Sequence, residues 1–517
     1  MANKNLFASS KPVVSIPEAT HFNEAGGKAY VLNDKAALCQ LAITGCFGGT
    51  YYTDEKEQLQ QVLKLVESIN DIEFIAKLAI YARQHGYMKD MPALLATIVA
   101  SKDSKTFAKI FSKVIDSPKM LRNFVQITRS GVTGRKSFGS APKRLIQNFL
   151  NNLTDDQLFK ADVGNDPSLQ DIIKMVHPKP QTEARAALYA YILNKDYNKE
   201  HICPTVKAYE AFKTDNSVSI PNVSFQMLTN LKLTDQHWKE IAKNSSWTQM
   251  RMNLNTFARH NVFNDSAMVD FIAEKLQNPS LIKQSKVFPY QLFAAYLNAQ
   301  ENIPVKIKNA LQKAAEISID NIPEIKGNVY VLLDVSGSMG NSVSGYRAVT
   351  SKVKCVDVAA LFASSIMKKN PNSVIIPFDT EVHENNLNAF DSIMTNAAKL
   401  AEFGGGGTDC SVALRKVKNL NSKVDAVIYI SDNESWADEQ HYQSTQTMIE
   451  WNEVKKKNPN AKLINIDIQP YTTTQTASQK DILNIGGFSD QIFEVVSKFL
   501  ETSDNDFFVK EVEKVMI

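Results

Sequence analysis

The sequence predicts a two-part chain, with an α-helical solenoid in residues 1–324 and a doubly wound α/β domain with a mostly parallel sheet in residues 325–517. Two observations support this division. Apolar residues recur at the i, i+3, i+4 spacing of amphipathic helices through roughly the first 320 residues. After Gly327, short apolar runs rich in β-branched residues alternate with helical stretches, which is typical of a parallel sheet covered on both faces.

The first half of the chain is a succession of short amphipathic segments. In Glu73–His85, for example, Phe74, Ile75 and Leu78 fall on one stripe. The same pattern recurs in Thr106–Ile115, Arg144–Leu150, Glu183–Asn194, Ala267–Leu276 and Pro289–Leu297. Many short helices without long strands favour an α-solenoid, although this pattern does not distinguish a solenoid from an irregular helical bundle.

The chain up to about Asp34 has a different character from the helical repeats. It contains Pro12, Pro17 and the pair Gly26-Gly27, which are poor helix formers. We expect this segment to be an extended arm that packs on the repeats.

The second half contains four candidate strands, which are Val329–Leu333, Val374–Phe378, Ala426–Ile430 and Leu463–Ile468. The helical stretches between them are Lys352–Lys369, Ser411–Leu420 and Ser444–Lys457. Ligands of such sheets bind beyond the carboxyl ends of the strands. Functional side chains are therefore expected in the loops that follow the strands.

The composition is that of a folded globular protein, with 44% hydrophobic and 22% charged residues in 517. No apolar run is long enough to span a membrane, and the N-terminus lacks the apolar core of a secretory signal. The five cysteines are scattered and lack metal-site spacing. We interpret them as reduced thiols of a cytoplasmic protein.

Charge is distributed unevenly between the two halves. Residues 325–517 contain 19 basic and 24 acidic residues, whereas residues 1–324 contain 39 and 31. Between Ser117 and Thr154 there is no Asp or Glu, and there are seven basic residues. A positive surface of this kind attracts polyanions such as nucleic acid.

Oxygen-bearing side chains lie in three loops of the α/β half. An Asp-x-Ser-x-Ser run begins at Asp334, and its spacing of two puts the three side chains on one side of an extended segment. Four glycines at 404–407 permit a tight path before a threonine, and Ser431-Asp432 follows the third strand. We predict that one metal site is formed by Asp334, Ser336, Ser338, Thr408 and Asp432.

Hydroxyl oxygens with few carboxylates suit a hard divalent cation. Mg²⁺ fits best, with Mn²⁺ as the alternative, because Mg²⁺ retains waters and prefers octahedral geometry. The competing interpretation is three polar loops that hold no ion. No Ser/His/Asp trio, Walker loop or paired-carboxylate motif is recognisable, so we expect the protein not to be an enzyme.

The three loops together resemble the metal-ion-dependent adhesion site of von Willebrand factor A domains. Other segments resemble the Ro family, in which a TROVE module precedes such an A domain. These segments are Asn23–Tyr30, Gly48–Tyr52, Leu169–Pro180, Lys286–Tyr290, Gly406–Ser411, Ser431–Trp436 and Asp481–Phe488. The resemblance implies a ring of HEAT-like repeats closed by the A domain.

The same resemblance implies an RNA-binding function. Single-stranded 3′ ends of misfolded or structured RNAs would enter the ring, and small Y-like RNAs would bind its surface. The expected role is RNA quality control, maturation or decay, carried out by a monomer that works with an exoribonuclease. Two other classes remain open, an A-domain adhesion or scaffold protein with a protein ligand, and a metal-dependent phosphodiesterase.

Two segments supply candidate RNA contacts. Phe138–Arg144 resembles the Gly-rich turn and basic helix start of Ro, where N–H groups at a helix N-terminus would bind phosphate. Leu169–Pro180 resembles a Ro segment in which a basic residue precedes a histidine. The expected contacts are Lys119, Arg122, Arg129, Arg135, Lys136, Lys143, Arg144, Lys174 and His177. The simpler alternatives are a solvated basic turn and a histidine that only packs or caps a helix.

Overall fold

A computed structural model describes residues 16–23, 25–44, 55–164, 166–343, 352–420, 422–432, 434–435, 444–469, 471, 473–487, 491–502 and 507–517. Parts of the predicted features lie outside these residues, namely the start of the arm, Glu24, Cys46, the Gly48–Tyr52 motif, Asn433, Trp436 and Phe488. No helix in the described part of the chain is long and apolar enough to cross a bilayer. The four described cysteines are buried and not disulfide-bonded.

The helical half is a series of short helices. They are α1 (Asp34–Thr44), α2 (Glu55–Ile69), α3 (Ile72–Gln84), α4 (Asp90–Lys102), α5 (Ser104–Val114), α6 (Pro118–Ser130), α7 (Ser140–Asn152), α8 (Asp155–Lys160), α9 (Leu169–Val176), α10 (Glu183–Ile192), α11 (Pro204–Thr214), α12 (Phe225–Leu228), α13 (Asp235–Asn244), α14 (Trp247–Met252), α15 (Leu254–Arg259), α16 (Ser266–Leu276), α17 (Pro279–Ser285), α18 (Pro289–Leu297) and α19 (Val305–Ser318). Each packs on helices close to it in sequence, as α3 does on α4 and α5, and α7 on α5 and α9. Such local stacking is that of an α-solenoid, which confirms the predicted fold class.

Local sequence explains where the helices next to the basic segment begin and end. The Ser117 side chain caps the first turn of α6, and Gly131, with φ of 80°, ends that helix. Helix α9 starts with a capping box formed by Ser168 and Asp171, and it ends at His177, whose φ is 53°. These caps set the direction in which each helix leaves its turn.

The C-terminal half is built on a sheet whose described strands have the order β4-β3-β5-β6-β8, all parallel. The chain's strands are β1 (His21–Phe22), β2 (Lys28–Val31), β3 (Val329–Asp334), β4 (Val374–Phe378), β5 (Ala426–Ser431), β6 (Lys462–Asp467), β7 (Thr473–Thr474) and β8 (Ile482–Gly486). The helices of this half are α20 (Cys355–Lys369), α21 (Ile393–Ala401), α22 (Cys410–Leu420), α23 (Gln446–Lys457), α24 (Gln491–Thr502) and α25 (Phe507–Glu513). Short 3-10 helices lie at Val262–Asn264, Ile319–Asn321 and Gly337–Gly340. The four predicted strands are confirmed, whereas β8 was not predicted as a strand.

The sheet separates two apolar cores because side chains alternate along each strand. Val331 and Ile428 face the side covered by α20, and that core continues into the later helices of the solenoid. Leu332 and Tyr429 face the other side, where they pack with Trp451 of α23. The α/β domain is therefore joined to the end of the solenoid through a continuous apolar core.

Our expectation that the N-terminal arm packs on the repeats is wrong. Its described part lies on the α/β domain, where β2 pairs antiparallel with β7. Ala19 and Tyr30 belong to the same core as Trp451. An extended segment needs partners for its backbone N–H and C=O groups. Strand β7 offers such partners, whereas the backbone groups inside a helix are already paired.

The two ends of the solenoid both reach the α/β half. Helices α18 and α19 pack on α20 and α21, and at the other end α1 and α3 pack on α25. Val512 of α25 is fully buried, and the Tyr81 and Phe508 rings meet edge to face at 5.6 Å. Lys35 of α1 forms an ion pair with Glu513 at 2.9 Å. The chain thus closes on itself as a ring.

Candidate metal centre and nucleic-acid interface

The first loop of the candidate metal centre follows β3 directly. Asp334 is fully buried, and its Oδ1 accepts a 2.8 Å hydrogen bond from the Ser336 backbone N–H. Its Oδ2 accepts a hydrogen bond from the Ser431 hydroxyl at the end of the neighbouring strand. The hydroxyl oxygens of Ser336 and Ser338 lie 3.2 Å apart. The spacing of two therefore brings these three predicted side chains together, as expected.

The glycine-rich loop lies against the first loop. Gly405 donates a backbone hydrogen bond of 3.2 Å to the Val335 carbonyl. Gly404 has φ of 111°, and a Cβ atom there would come within 1.8 Å of the same carbonyl oxygen. Only glycine fits this approach, which leads the chain to Thr408, whose side chain is buried.

Asp432 completes the candidate site from the loop after β5. Strands β3 and β5 are neighbours, with Leu333 opposite Ile430, so their carboxyl ends meet at one edge. Asp432 is buried and accepts a hydrogen bond from the Ser338 side chain. Burial, followed by the nearby charge of Asp432, raises the pKa of Asp334 to about 7. Burial also raises the pKa of Asp432.

The donor set at this edge has the chemistry that a hard cation requires. The Oδ2 atom of Asp432 is buried without a hydrogen-bond partner among the described residues. A cation would satisfy that oxygen and offset the repulsion between Asp432 and Asp334. Among the described residues there is no cluster of three or more His, Cys, Asp or Glu that could hold a metal. An ion here would therefore depend on hydroxyl oxygens as well as the two carboxylates, a combination that suits Mg²⁺.

The N-terminal arm holds the loop that follows Asp432. The Asn23 side-chain N–H donates a 2.7 Å hydrogen bond to the Ser435 carbonyl, and the Ala25 backbone N–H donates to Glu434 at 3.2 Å. The Ser435 hydroxyl donates to the Thr408 carbonyl at 3.4 Å. These contacts were not predicted from the sequence, because more than 400 residues separate the partners. The only signal was that both partners lie in segments that resemble the Ro family.

Most of the predicted nucleic-acid contacts lie on the surface. The exposed ones are Lys119, Arg129, Arg135, Lys136, Arg144, Lys174 and His177, whereas Arg122 and Lys143 are half-buried. The acids that flank the acid-free segment are paired elsewhere, because Asp116 contacts Arg83 at 2.9 Å and Asp155 contacts Arg185 at 2.6 Å. The positive charge of the segment is therefore not cancelled by its neighbours in sequence.

The structure joins the two segments that were predicted separately. Gln147 of α7 donates a 2.6 Å hydrogen bond to the Val176 carbonyl at the end of α9. Asn151, one turn later, donates to the Lys179 carbonyl at 3.2 Å. Helix α7 begins after Gly139, and no side chain caps its first turn. The basic start of α7 and the Lys174–His177 end of α9 thus belong to neighbouring helices.

Two basic residues near this surface differ from the sequence-based prediction. Arg122 donates a hydrogen bond to the Val163 carbonyl, so part of its guanidinium is used within the fold. Lys89 was not predicted, yet it lies beside this surface. Partial burial lowers the pKa of Lys89, and the positive charges of Lys119 and Arg83 lower it further.

Comparisons with known proteins agree with the architecture. Residues 328–500 match the family model of the Ro60 vWA domain. The chain is 22% identical to "RNA-binding protein RO60" of Deinococcus radiodurans over 539 residues, which cover 96% of this chain and 99% of the relative. The chain is thus similar to a Ro protein along almost its whole length.

Two further comparisons extend this result. The chain is 24% identical to "RNA-binding protein RO60" of Caenorhabditis elegans over 250 residues, which cover 46% of this chain and 37% of that relative. The crystal structure of the Deinococcus radiodurans Ro protein superposes with a TM-score of 0.64 at 18% identity, covering 91% of this chain and all of that one. The solved structure therefore has the same fold.

We predict that Asn23→Ala destabilises the protein by about 1–3 kcal/mol, because it leaves the Ser435 carbonyl and the Gly27 N–H without their side-chain partner. Denaturant unfolding followed by circular dichroism measures the change. Phe22→Ala, which removes a neighbouring arm side chain that is 68% exposed, is the control and should change stability little. Equal stability of both variants would show that the arm contact is not important for closure.

Proposed function

We propose that this chain is an RNA-binding protein of the Ro family. The observation that carries the proposal is the basic surface formed by α6, α7 and the end of α9 on a ring closed by an A domain. Exposed Lys and Arg side chains neutralise phosphates and supply most of the sequence-independent affinity for RNA. Two relatives of the chain are named RNA-binding proteins, which supports the same conclusion.

We further propose that the preferred RNAs are structured or misfolded RNAs with single-stranded 3′ ends, together with small Y-like RNAs on the outer surface. An A-form duplex is wide and its deep groove is seldom read by side chains, so a closed ring favours an unpaired strand. Basic residues along the path would follow the backbone without selecting sequence. The expected cellular role is RNA quality control, maturation or decay.

The candidate metal centre is proposed to hold Mg²⁺ or Mn²⁺ through Asp334, Ser336, Ser338, Thr408 and Asp432. The unpartnered Asp432 oxygen and the raised pKa of Asp334 support this assignment. When bound, the cation would act as a Lewis acid toward an oxygen ligand. The hydroxyl groups of Ser336, Ser338 and Thr408 would supply neutral oxygen ligands, and the buried carboxylates of Asp334 and Asp432 would balance the charge of the ion.

We propose a non-enzymatic, cytoplasmic, monomeric protein that works with an exoribonuclease. The described cysteines are buried and not disulfide-bonded, which is consistent with a reducing compartment. A nuclease partner would account for RNA decay by a protein whose sequence contains no recognisable catalytic motif. An acidic residue of such a partner is the natural ligand for the candidate cation, because the hydroxyl ligands leave the ion electron-poor.

The first prediction is that an RNA duplex with a 3′ single-stranded tail binds much better than the same duplex with blunt ends. The preference should decrease in Lys174→Ala and His177→Ala, whose side chains are exposed at the end of α9. Titration of labelled tailed and blunt RNAs at constant salt measures it. Equal affinity for both RNAs would refute the entry of unpaired ends into the ring.

The second prediction concerns salt. Replacing Lys143 and Arg144 together by Ala should reduce the slope of log affinity against log salt by roughly one to two units. The reason is that a variant with fewer phosphate contacts releases fewer counterions when it binds RNA. The matched control replaces Lys306 and Lys308 of α19 by Ala and should leave the slope unchanged. An equal slope in the wild type and the Lys143/Arg144 variant would place the RNA on another surface.

The third prediction concerns the metal. Asp334→Ala should strongly weaken Mn²⁺ binding, because it removes a proposed direct ligand. Loss of a residue that only hydrogen-bonds to a metal ligand typically lowers metal affinity by roughly 10- to 100-fold, and the effect of Asp334→Ala should be larger. Its affinity for RNA should change little. Isothermal titration with Mn²⁺ measures binding, and Asp425→Ala, at the opposite end of β5, is the control. Unchanged Mn²⁺ affinity in Asp334→Ala would contradict the assigned site.

A further inference from the structure

A cavity of about 470 Å³ lies between helices α8 to α12 of the ring, away from the candidate metal centre. Its size is within the range of roughly 300–1,000 Å³ that is typical of small-ligand sites. None of the predicted RNA contacts lines it. Its lining combines the aromatic rings of Phe159, Tyr191 and Tyr209 with amide and carboxyl side chains.

The aromatic side of the cavity is held firmly in place. The rings of Tyr191 and Tyr209 pack edge to face against buried Phe159, with centroids 5.8 Å and 5.5 Å away. The Tyr191 hydroxyl donates a 2.5 Å hydrogen bond to Glu210, and Lys213 donates to the same carboxylate at 2.8 Å. Because these contacts fix the rings before a ligand arrives, little conformational entropy would be lost on binding.

The polar side of the cavity has unused hydrogen-bonding capacity. It includes four side-chain amides, Gln170, Asn194, Gln226 and Asn230. No side-chain hydrogen bond of these four is found within the described part of the chain, although nearby Gln147 and Asn151 are both engaged. The Asp162 carboxyl also lines the cavity, and partial burial raises its pKa while Arg122 opposes the shift. Amides offer a donor and an acceptor side by side.

The cavity adjoins the basic surface at two places. Arg122, from the acid-free segment, hydrogen-bonds the carbonyl of Val163 in the cavity wall. Helix α9 contributes Ser168 and Gln170 to the cavity at its start, and Lys174 to the basic surface near its end. An eight-residue helix is about 12 Å long. That length corresponds to about three or four stacked nucleotides at ~3.4 Å each.

We propose that this cavity receives one unstacked nucleobase of the RNA strand whose phosphates the basic surface holds. Aromatic rings stack on a base, and side-chain amides pair with its edge, which is how proteins read single-stranded RNA. The combination of amide and carboxyl acceptors favours a base with an exocyclic amine, such as adenine, over uracil. The proposal rests on the proposed function, and it adds sequence preference at one position of a tail that is otherwise bound through its backbone.

The test uses a duplex with a 3′ tail of uridines, in which one uridine at a time is replaced by adenosine or by an abasic ribose. At one tail position, adenosine should raise the affinity of the wild type and the abasic residue should lower it, together by about tenfold. In the double variant Gln170→Ala, Asn230→Ala this positional difference should largely disappear. Gln312→Ala, an amide of α19 outside the cavity, should retain it. A tail with no responsive position, or an equal difference in wild type and double variant, would overturn the base site.

The same titrations separate the two proposals. Lys143→Ala, Arg144→Ala should lower the affinity for every tail while keeping the positional difference. If the wild type binds no RNA, the proposed function fails; if it binds all tails alike, only the base site fails. Photo-crosslinking of wild-type protein with 8-azidoadenosine at the responsive tail position gives a second measurement that does not depend on a variant. Crosslinks to peptides containing Tyr191 or Tyr209 are expected, and crosslinks confined to other peptides would refute the proposal.

Discussion

The closed architecture includes a buried contact between residues far apart in the chain, the hydrogen bond from the Asn23 side chain to the Ser435 carbonyl. It attaches the arm to the α/β domain, and the arm leads directly into α1. The burial of Val512 between α25 and the first helices adds an apolar contact at the same junction. Because the other end of the solenoid shares its core with the sheet, the helices between must curve enough to meet both attachments.

This closure also shapes the candidate metal centre. The loop after β5 contacts the arm on one side and the Thr408 loop on the other. Two carboxylates are buried there within a few ångströms of hydroxyl groups, an arrangement that is unfavourable without a positive partner. Both pKa values rise for that reason. Protein dipoles satisfy both oxygens of Asp334, whereas one oxygen of Asp432 has no such partner among the described residues.

The basic surface has a different origin, because it follows from the order in which helices stack. Helix α7 packs beside α9, and amide side chains of α7 hold the turn after α9. Charges about 30 residues apart in sequence therefore share one surface. Stacking also leaves the cavity between α8 and α12 next to that surface. In a solenoid, neighbouring repeats thus place the proposed phosphate contacts beside the proposed base contact, while their apolar faces remain packed against each other.

The sequence by itself determined the division into a helical and an α/β half, the four main strands and the loops that carry Asp334 and Asp432. Those features depend on local periodicity and on short spacings such as Asp-x-Ser-x-Ser, which are readable along the chain. It did not place the arm, β8, the pairing of Asn23 with Ser435, the inward contact of Arg122 or the cavity beside α9. These depend on which surfaces meet after folding, and a pairing across more than 400 residues leaves no local pattern in a single sequence.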